Sequence, residues 1–247
     1  MILEVLILIL LVFGLIGLIL LYYFFLRKVE PADTNVHNMM FIRPKNCHYC
    51  INGYDALKYA VDYADSKGIW WISDIQKEEA VKNTVYGHID VVNPGSIYGF
   101  GHGSPTVYTG DDEKSIFSVL ECSKLSGRIV YLLSCLTANL LGPSIISNGA
   151  KAYAGFRVSW TWITSSTDID PYTDHYGKGY FESANELWIS LCNGATFGEA
   201  LQASVDKYNY WINYWLSGDD PIKEEVAKWL IHDRDGLVGL GNMSIKL

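Results

Sequence analysis

The chain has 247 residues, 49% of them hydrophobic, with a net charge of −8 and an aromatic complement that includes 17 Tyr and 8 Trp. This is enough material for one sizeable domain and short of what two would need, and the aromatic content suits a dense core or a large interface alike. The acidic balance argues against a nucleic-acid partner, which calls for a basic face.

The chain opens on "VLILILLVFGLIGLILLYYFFL", an unbroken apolar run over residues 5–26. At about 1.5 Å per residue it reaches roughly 33 Å as a helix, the depth of a bilayer core. Tyr22 and Tyr23 stand where an aromatic belt would lie, beside Arg27 and Lys28. Glu4 precedes the run and no small-residue cleavage site comes after it, so a retained single-pass anchor over 1–28 is expected rather than a signal peptide. The two basic residues favour the cytoplasmic side for the domain C-terminal to them and leave an extracellular domain open. Residues 29–38, "VEPADTNVHN", read as a polar linker, and a single domain is expected over 39–247.

"MMFIR" (39–43) reads as a buried strand, and "CHYC" (47–50) comes next. One CxxC without a second pair is weak as a zinc motif, and no thioredoxin-like context makes it a redox motif. Two ordinary thiols at a turn are the simpler reading; no metal, cofactor or disulfide framework is expected. Residues 54–68 have helical spacing closed by Gly68, and "IWWISDI" (69–75) reads as a strand. A helix is expected over 76–87, a strand over "SIYGFGHG", then a turn at Gly110 and a helix ending near Gly127. "RIVYLLSC" is a strand apolar on both faces, as a covered parallel strand must be. A short helix (142–150), the strand "KAYAGFRVSW", helices near 172–193, 196–216 and 221–232, and a terminal strand in "GLVGLGNMSIKL" complete the chain. The alternation implies an α/β three-layer sandwich: a mostly parallel sheet with helices on both faces.

Chemistry in such sheets gathers beyond the carboxyl ends of the strands. Two strands end there on reactive groups: "SIYGFGHG" on His102-Gly103 and "RIVYLLSC" on Ser134-Cys135. If the strands are neighbours, about 4.8 Å apart, a thiol and an imidazole face one cleft. That pair can act as nucleophile and proton carrier, with the Gly103 and Cys135 amides as oxyanion donors. Taken alone, Cys135 would read as a small apolar residue in a buried strand, and Cys122 and Cys192, in helical stretches, read so outright.

The two apolar blocks ending in His-Gly and in Cys resemble the caspase-like cysteine peptidases, and within them the gingipain-like family. The resemblance continues through "SCLTANLLGPSIISNGAKAYAGF" (134–156), while the chain departs from the family at Gly241-Asn242-Met243. It implies an endopeptidase acting on protein or peptide substrates, with Cys135 as nucleophile and His102 as proton donor to the leaving group. "SWTW" (159–162) is similar to a cleft-bordering stretch of caspases, which makes Trp160 and Trp162 candidate walls of the P1 pocket, although Thr161 stands in place of the caspase Arg. Relatives that cleave after basic residues need an acidic pocket floor, for which Asp168 and Asp170, or Asp111 or Asp112, are candidates. The alternatives are an anchored scaffold of the same fold that keeps the pair without catalysis, and, more remotely, a thiol redox protein built on Cys47 and Cys50.

Overall fold

The computed structural model describes residues 38–47 and 50–247. The anchor expected over 1–28, and all of the linker except Asn38, lie outside the described residues. No described helix is long and apolar enough to cross a membrane.

Strands β1 (Met39–Arg43), β2 (Ile72–Gln76), β3 (Ser96–Phe100), β6 (Ile129–Leu133), β7 (Ala152–Phe156) and β8 (Leu237–Gly241) form one sheet in the order β2-β1-β3-β6-β7-β8. All neighbours pair in parallel except β8, which runs antiparallel to β7 at the edge. Strands β4 (Val107–Thr109) and β5 (Ser115–Ser118) make a separate antiparallel hairpin. The helices are α1 (Cys50–Ser66), α2 (Lys82–Val92), α3 (Leu141–Ser147), α4 (Lys178–Cys192), α5 (Phe197–Ser217) and α6 (Lys223–Gly236).

Strands β1, β3, β6 and β7 are buried at every position. Alternation along each strand then divides the side chains between two cores. Phe41, Tyr98, Tyr131 and Ala154 face α1, α4, α5 and α6, while Met40, Ile42, Ile97, Val130 and Leu132 face α2, α3 and the hairpin. The tyrosines suit this interior because their hydroxyls are satisfied: Tyr98 donates to Asn185 Oδ1 (2.6 Å) and Tyr131 to the Ala184 carbonyl (3.1 Å). Tyr98 also stacks on Tyr131 with ring centroids 4.5 Å apart. At the end of β1, the buried Arg43 gives a two-pronged hydrogen bond to Asp74 on β2 and a third to the Tyr54 carbonyl.

Two expectations are corrected. The segment after Gly110 is not a helix: it completes the β4–β5 hairpin and ends in a 3-10 turn at Ser123–Leu125. Tyr108, Ile116 and Phe117 are fully buried from short strands, and Cys122 caps the 3-10 turn as a buried residue rather than lying in a helix. The helix expected over 76–87 is also displaced: a 3-10 turn spans Lys77–Glu79, and α2 continues past Gly87 to end at the left-handed Asn93 (φ 48°). The parallel sheet, its strand assignments and the helices on both faces agree with the sequence reading.

Candidate active site

Strands β3 and β6 are paired neighbours, with Phe100 opposite Leu133. They therefore end level, and the next residues on each chain, Gly101-His102-Gly103 and Ser134-Cys135, leave the sheet side by side. Gly103 packs against the turn that succeeds β6. A Cβ at position 103 would meet Ser134 Oγ at 2.1 Å and the Cys135 carbonyl oxygen at 2.8 Å. Only a residue without a side chain fits there.

The hairpin fixes which way Gly103 faces. Gly103 and Tyr108 are bridged in antiparallel fashion, flanked by Ser104 N–H to the Val107 carbonyl (2.9 Å) and Thr109 N–H to the His102 carbonyl (3.0 Å). These bonds make Gly103–Tyr108 a non-hydrogen-bonded pair, so the Gly103 amide points away from the hairpin. Neither the Gly103 nor the Cys135 N–H donates to another described residue.

The Cys135 turn is sharp. Leu136 takes a left-handed conformation (φ 63°), costly for a branched side chain, and the turn is pinned by Leu136 N–H to the Val158 carbonyl (2.9 Å) and Ala138 N–H to the Phe156 carbonyl (3.0 Å). This lifts Cys135 out of the line of β6 into a cavity of about 330 Å³, which His102 also lines. Phe100, Trp160 and Trp162 give the cavity its apolar wall, and Cys50 borders it.

Burial raises the Cys135 thiol above its ordinary range, and the nearby Asp233 adds to this. The Sγ lies 3.8 Å from the Trp160 carbonyl. No hydrogen bond joins it to His102 among the described residues. Instead, His102 Nε2 stands 3.2 Å from Cys47 Sγ and 3.5 Å from Cys50 Sγ. Cys47 and Cys50 are joined in a disulfide, which corrects the expectation of two ordinary thiols without a bridge.

Trp160 and Trp162 both line the cavity, with ring centroids 5.1 Å apart. Trp160 is also core, 5% exposed, and its Nε1–H donates to the Tyr208 hydroxyl (3.2 Å). None of the acidic candidates lines the cavity. Asp168 is exposed at a turn. Asp170 accepts from the Tyr59 hydroxyl and the Tyr172 amide, both at 2.8 Å. Asp111 accepts from the Lys45 amide (2.6 Å), and Asp112 from the Lys114 amide (3.1 Å).

A carboxyl that sequence reasoning did not single out stands behind this wall. Asp233 on α6 is 0% exposed, accepts from the Thr161 amide (3.1 Å) through Oδ1, and has no partner at Oδ2 among the described residues. Burial holds it well above the usual carboxylate range. Within "HDRDG" it reads as one more surface charge on a helix.

No family model matches the chain, and no curated protein matches it in sequence. Its fold is nevertheless that of the gingipain-type peptidases. The complex of the Porphyromonas gingivalis RgpB pro- and mature domains superposes with a TM-score of 0.54 at 14% identity, over 85% of this chain and 48% of that one. A second structure, described as a protease, gives 0.51 at 14% identity over 87% and 49%. The chain thus spans about half the length of the solved structures it matches.

Proposed function

We propose that the protein is a cysteine endopeptidase in which Cys135 is the nucleophile and His102 carries the proton. The observation behind this is the meeting of His102-Gly103 and Ser134-Cys135 at the carboxyl ends of two paired strands, in one cavity large enough for a side chain of a peptide substrate. The peptidase neighbours support the same reaction class.

Because the thiol is held neutral at rest, the first step is general-base assisted. His102 accepts the Cys135 proton as sulfur attacks the scissile carbonyl carbon, and then delivers that proton to the departing amine. The oxyanion that forms is received by the N–H groups of Gly103 and Cys135. Water then cleaves the thioester, releasing the acid product and restoring the thiol.

Cleavage after a basic residue is part of what the resemblance implied, but the cavity wall offers it no acidic side chain. The pocket of Phe100, Trp160 and Trp162 favours a neutral, apolar P1 residue instead. The membrane-anchored setting, with the domain on the cytoplasmic side, rests on residues 5–28 of the sequence.

The deciding experiment is a peptide-library cleavage profile of the full chain beside its Cys135→Ala variant. Cleavage lost with Cys135 supports the proposal. A chain that cleaves nothing, and whose Cys135 resists an acylating peptide probe under oxidising and reducing conditions, is a scaffold.

A further inference from the structure

We propose that Cys47, Cys50 and His102 become a Zn²⁺ site when the Cys47–Cys50 disulfide is reduced, and that the bound ion withdraws His102 from the Cys135 reaction. The site stands on its own geometry; its effect on turnover rests on the peptidase reading.

The three donor atoms lie within 4.8 Å of one another. The two Nε2–Sγ separations, 3.2 and 3.5 Å, are near the ligand–ligand edge of the site zinc prefers. A tetrahedron with Zn–S of about 2.3 Å and Zn–N of about 2.0 Å has an S–N edge of about 3.5 Å. Two thiolates and an imidazole are also the donor set that selects zinc over harder cations. The surroundings suit negative sulfur. The Cys50 N–H, which also bonds the Cys47 carbonyl (3.0 Å), reaches Cys47 Sγ (3.1 Å), and Cys50 opens α1, where the helix dipole favours an anion. His102 is held from elsewhere, since its carbonyl is bonded by Thr109 on β4. The third ligand is thus positioned independently of the CxxC turn. Cys50 is buried, whereas Cys47 is half-buried and His102 exposed, so an ion enters from the solvent side.

The chemistry balances with a dithiol as reductant. It gives two electrons and two protons to the disulfide and leaves as its own disulfide. Zn²⁺ then displaces the two thiol protons to solvent and takes the Nε2 lone pair of neutral His102, with water in the fourth position. With that lone pair engaged, His102 cannot accept the Cys135 proton through Nε2. A small-molecule disulfide reverses the step: it takes two electrons from the thiolates and two protons from solvent, is reduced to two thiols, and the ion leaves as the Cys47–Cys50 bond re-forms.

The test titrates the full chain, reduced with a phosphine and then freed of it, with Co²⁺ and Zn²⁺. One equivalent of Co²⁺ is expected, giving thiolate charge-transfer and tetrahedral d–d bands that Zn²⁺ removes. The oxidised chain, Cys47→Ser and Cys50→Ala should lack these bands. No stoichiometric binding by the reduced chain, equal binding by the oxidised chain, or full retention in both variants overturns the site. Peptide hydrolysis reads the consequence. One equivalent of Zn²⁺ should suppress the reduced chain, a chelator should restore it, and Cys47→Ser should be unaffected. Equal inhibition of Cys47→Ser overturns the gating. A chain that shows the bands yet hydrolyses nothing in any redox state keeps the site and loses the peptidase reading.

Discussion

Gly103 sits so close to Ser134 that an added Cβ would stand 2.1 Å from the Ser134 hydroxyl oxygen. The neighbours cannot yield cheaply, because the next two atoms in the way are the Cys135 carbonyl oxygen and Thr137 Cγ2, both at 2.8 Å. Gly103→Ala should therefore push the His102 loop off the Cys135 turn. Overpacking of this kind costs about 1–3 kcal/mol. The expected result is a melting midpoint several degrees lower and a larger fractional loss of peptidase activity than of folded protein. An alanine variant that melts and turns over like the parent would show that the two loops do not meet.

The roles of Cys135 and His102 separate by rate and by pH. Cys135→Ala should abolish hydrolysis, while His102→Ala should lower kcat/KM by about 10²–10⁴, the usual contribution of a positioned acid–base group. Since burial favours the neutral thiol, alkylation of Cys135 by a small uncharged reagent should be slow near neutrality and climb through the alkaline range. Its midpoint should lie above the value of about 8.5 usual for a free cysteine. A plateau already reached at pH 6 would mean a standing thiolate–imidazolium pair and a different first step.

How much of this was legible in the sequence depended on whether a feature is local. Continuous apolar runs such as "IVYLL" declared themselves as covered parallel strands because burial on both faces removes the polar alternation. The His102 and Cys135 strand ends could be read from those runs. The β4–β5 hairpin was hidden because strands of three and four residues are too short to show a period. The position of His102 against Cys47 and Cys50 was invisible for another reason. The contact spans more than 50 residues and depends on β1 and β3 being neighbours, which strand order alone decides. The path of the loop that carries Asp168 and Asp170 was not legible either: it leaves Asp168 exposed at a turn and Asp170 on the Tyr59 hydroxyl, with neither in the cavity lining.

The wall of the cavity makes a prediction about selectivity. With Phe100, Trp160 and Trp162 around the pocket and no carboxylate on its surface, substrates with a neutral P1 residue should outpace those with Arg or Lys. Trp162→Ala is the cleaner probe, because Trp162 is only half-buried whereas Trp160 is tied into the core through Tyr208. It should raise KM for aromatic P1 peptides while leaving kcat within a few-fold. Strong preference for Arg or Lys in the parent would require a carboxylate that the described cavity lacks.

The buried ion pair at the end of β1 offers a test of the scaffold. Arg43 is 1% exposed and its guanidinium is met by Asp74 from the neighbouring strand. Removing one partner of a buried pair leaves an uncompensated charge and costs about 3–5 kcal/mol. Asp74→Ala should approach that figure in chemical denaturation, less what the 20% exposure of the Asp74 side chain lets water recover. Replacing both residues with apolar ones should cost clearly less than the single change. If the single variant is as stable as the parent, the pair contributes register and not stability.

Asp233 carries a prediction whose sign is set by its burial. Its folded-state pKa lies well above the ordinary carboxylate value of about 3.9. Between those two values the folded protein binds a proton that the unfolded chain has already released. Stability contributed by this group is therefore complete below about pH 4 and declines as pH rises toward the folded-state pKa. The slope from one proton is at most about 1.4 kcal/mol per pH unit. Asp233→Asn keeps an acceptor for the Thr161 amide and cannot ionise, so it should flatten this part of the pH–stability curve and melt higher than the parent at pH 8. At pH 4 the two proteins should melt nearly together. Parallel curves across the whole range would show that Asp233 ionises freely and that the polar floor behind Trp160 is wetter than the structure has it.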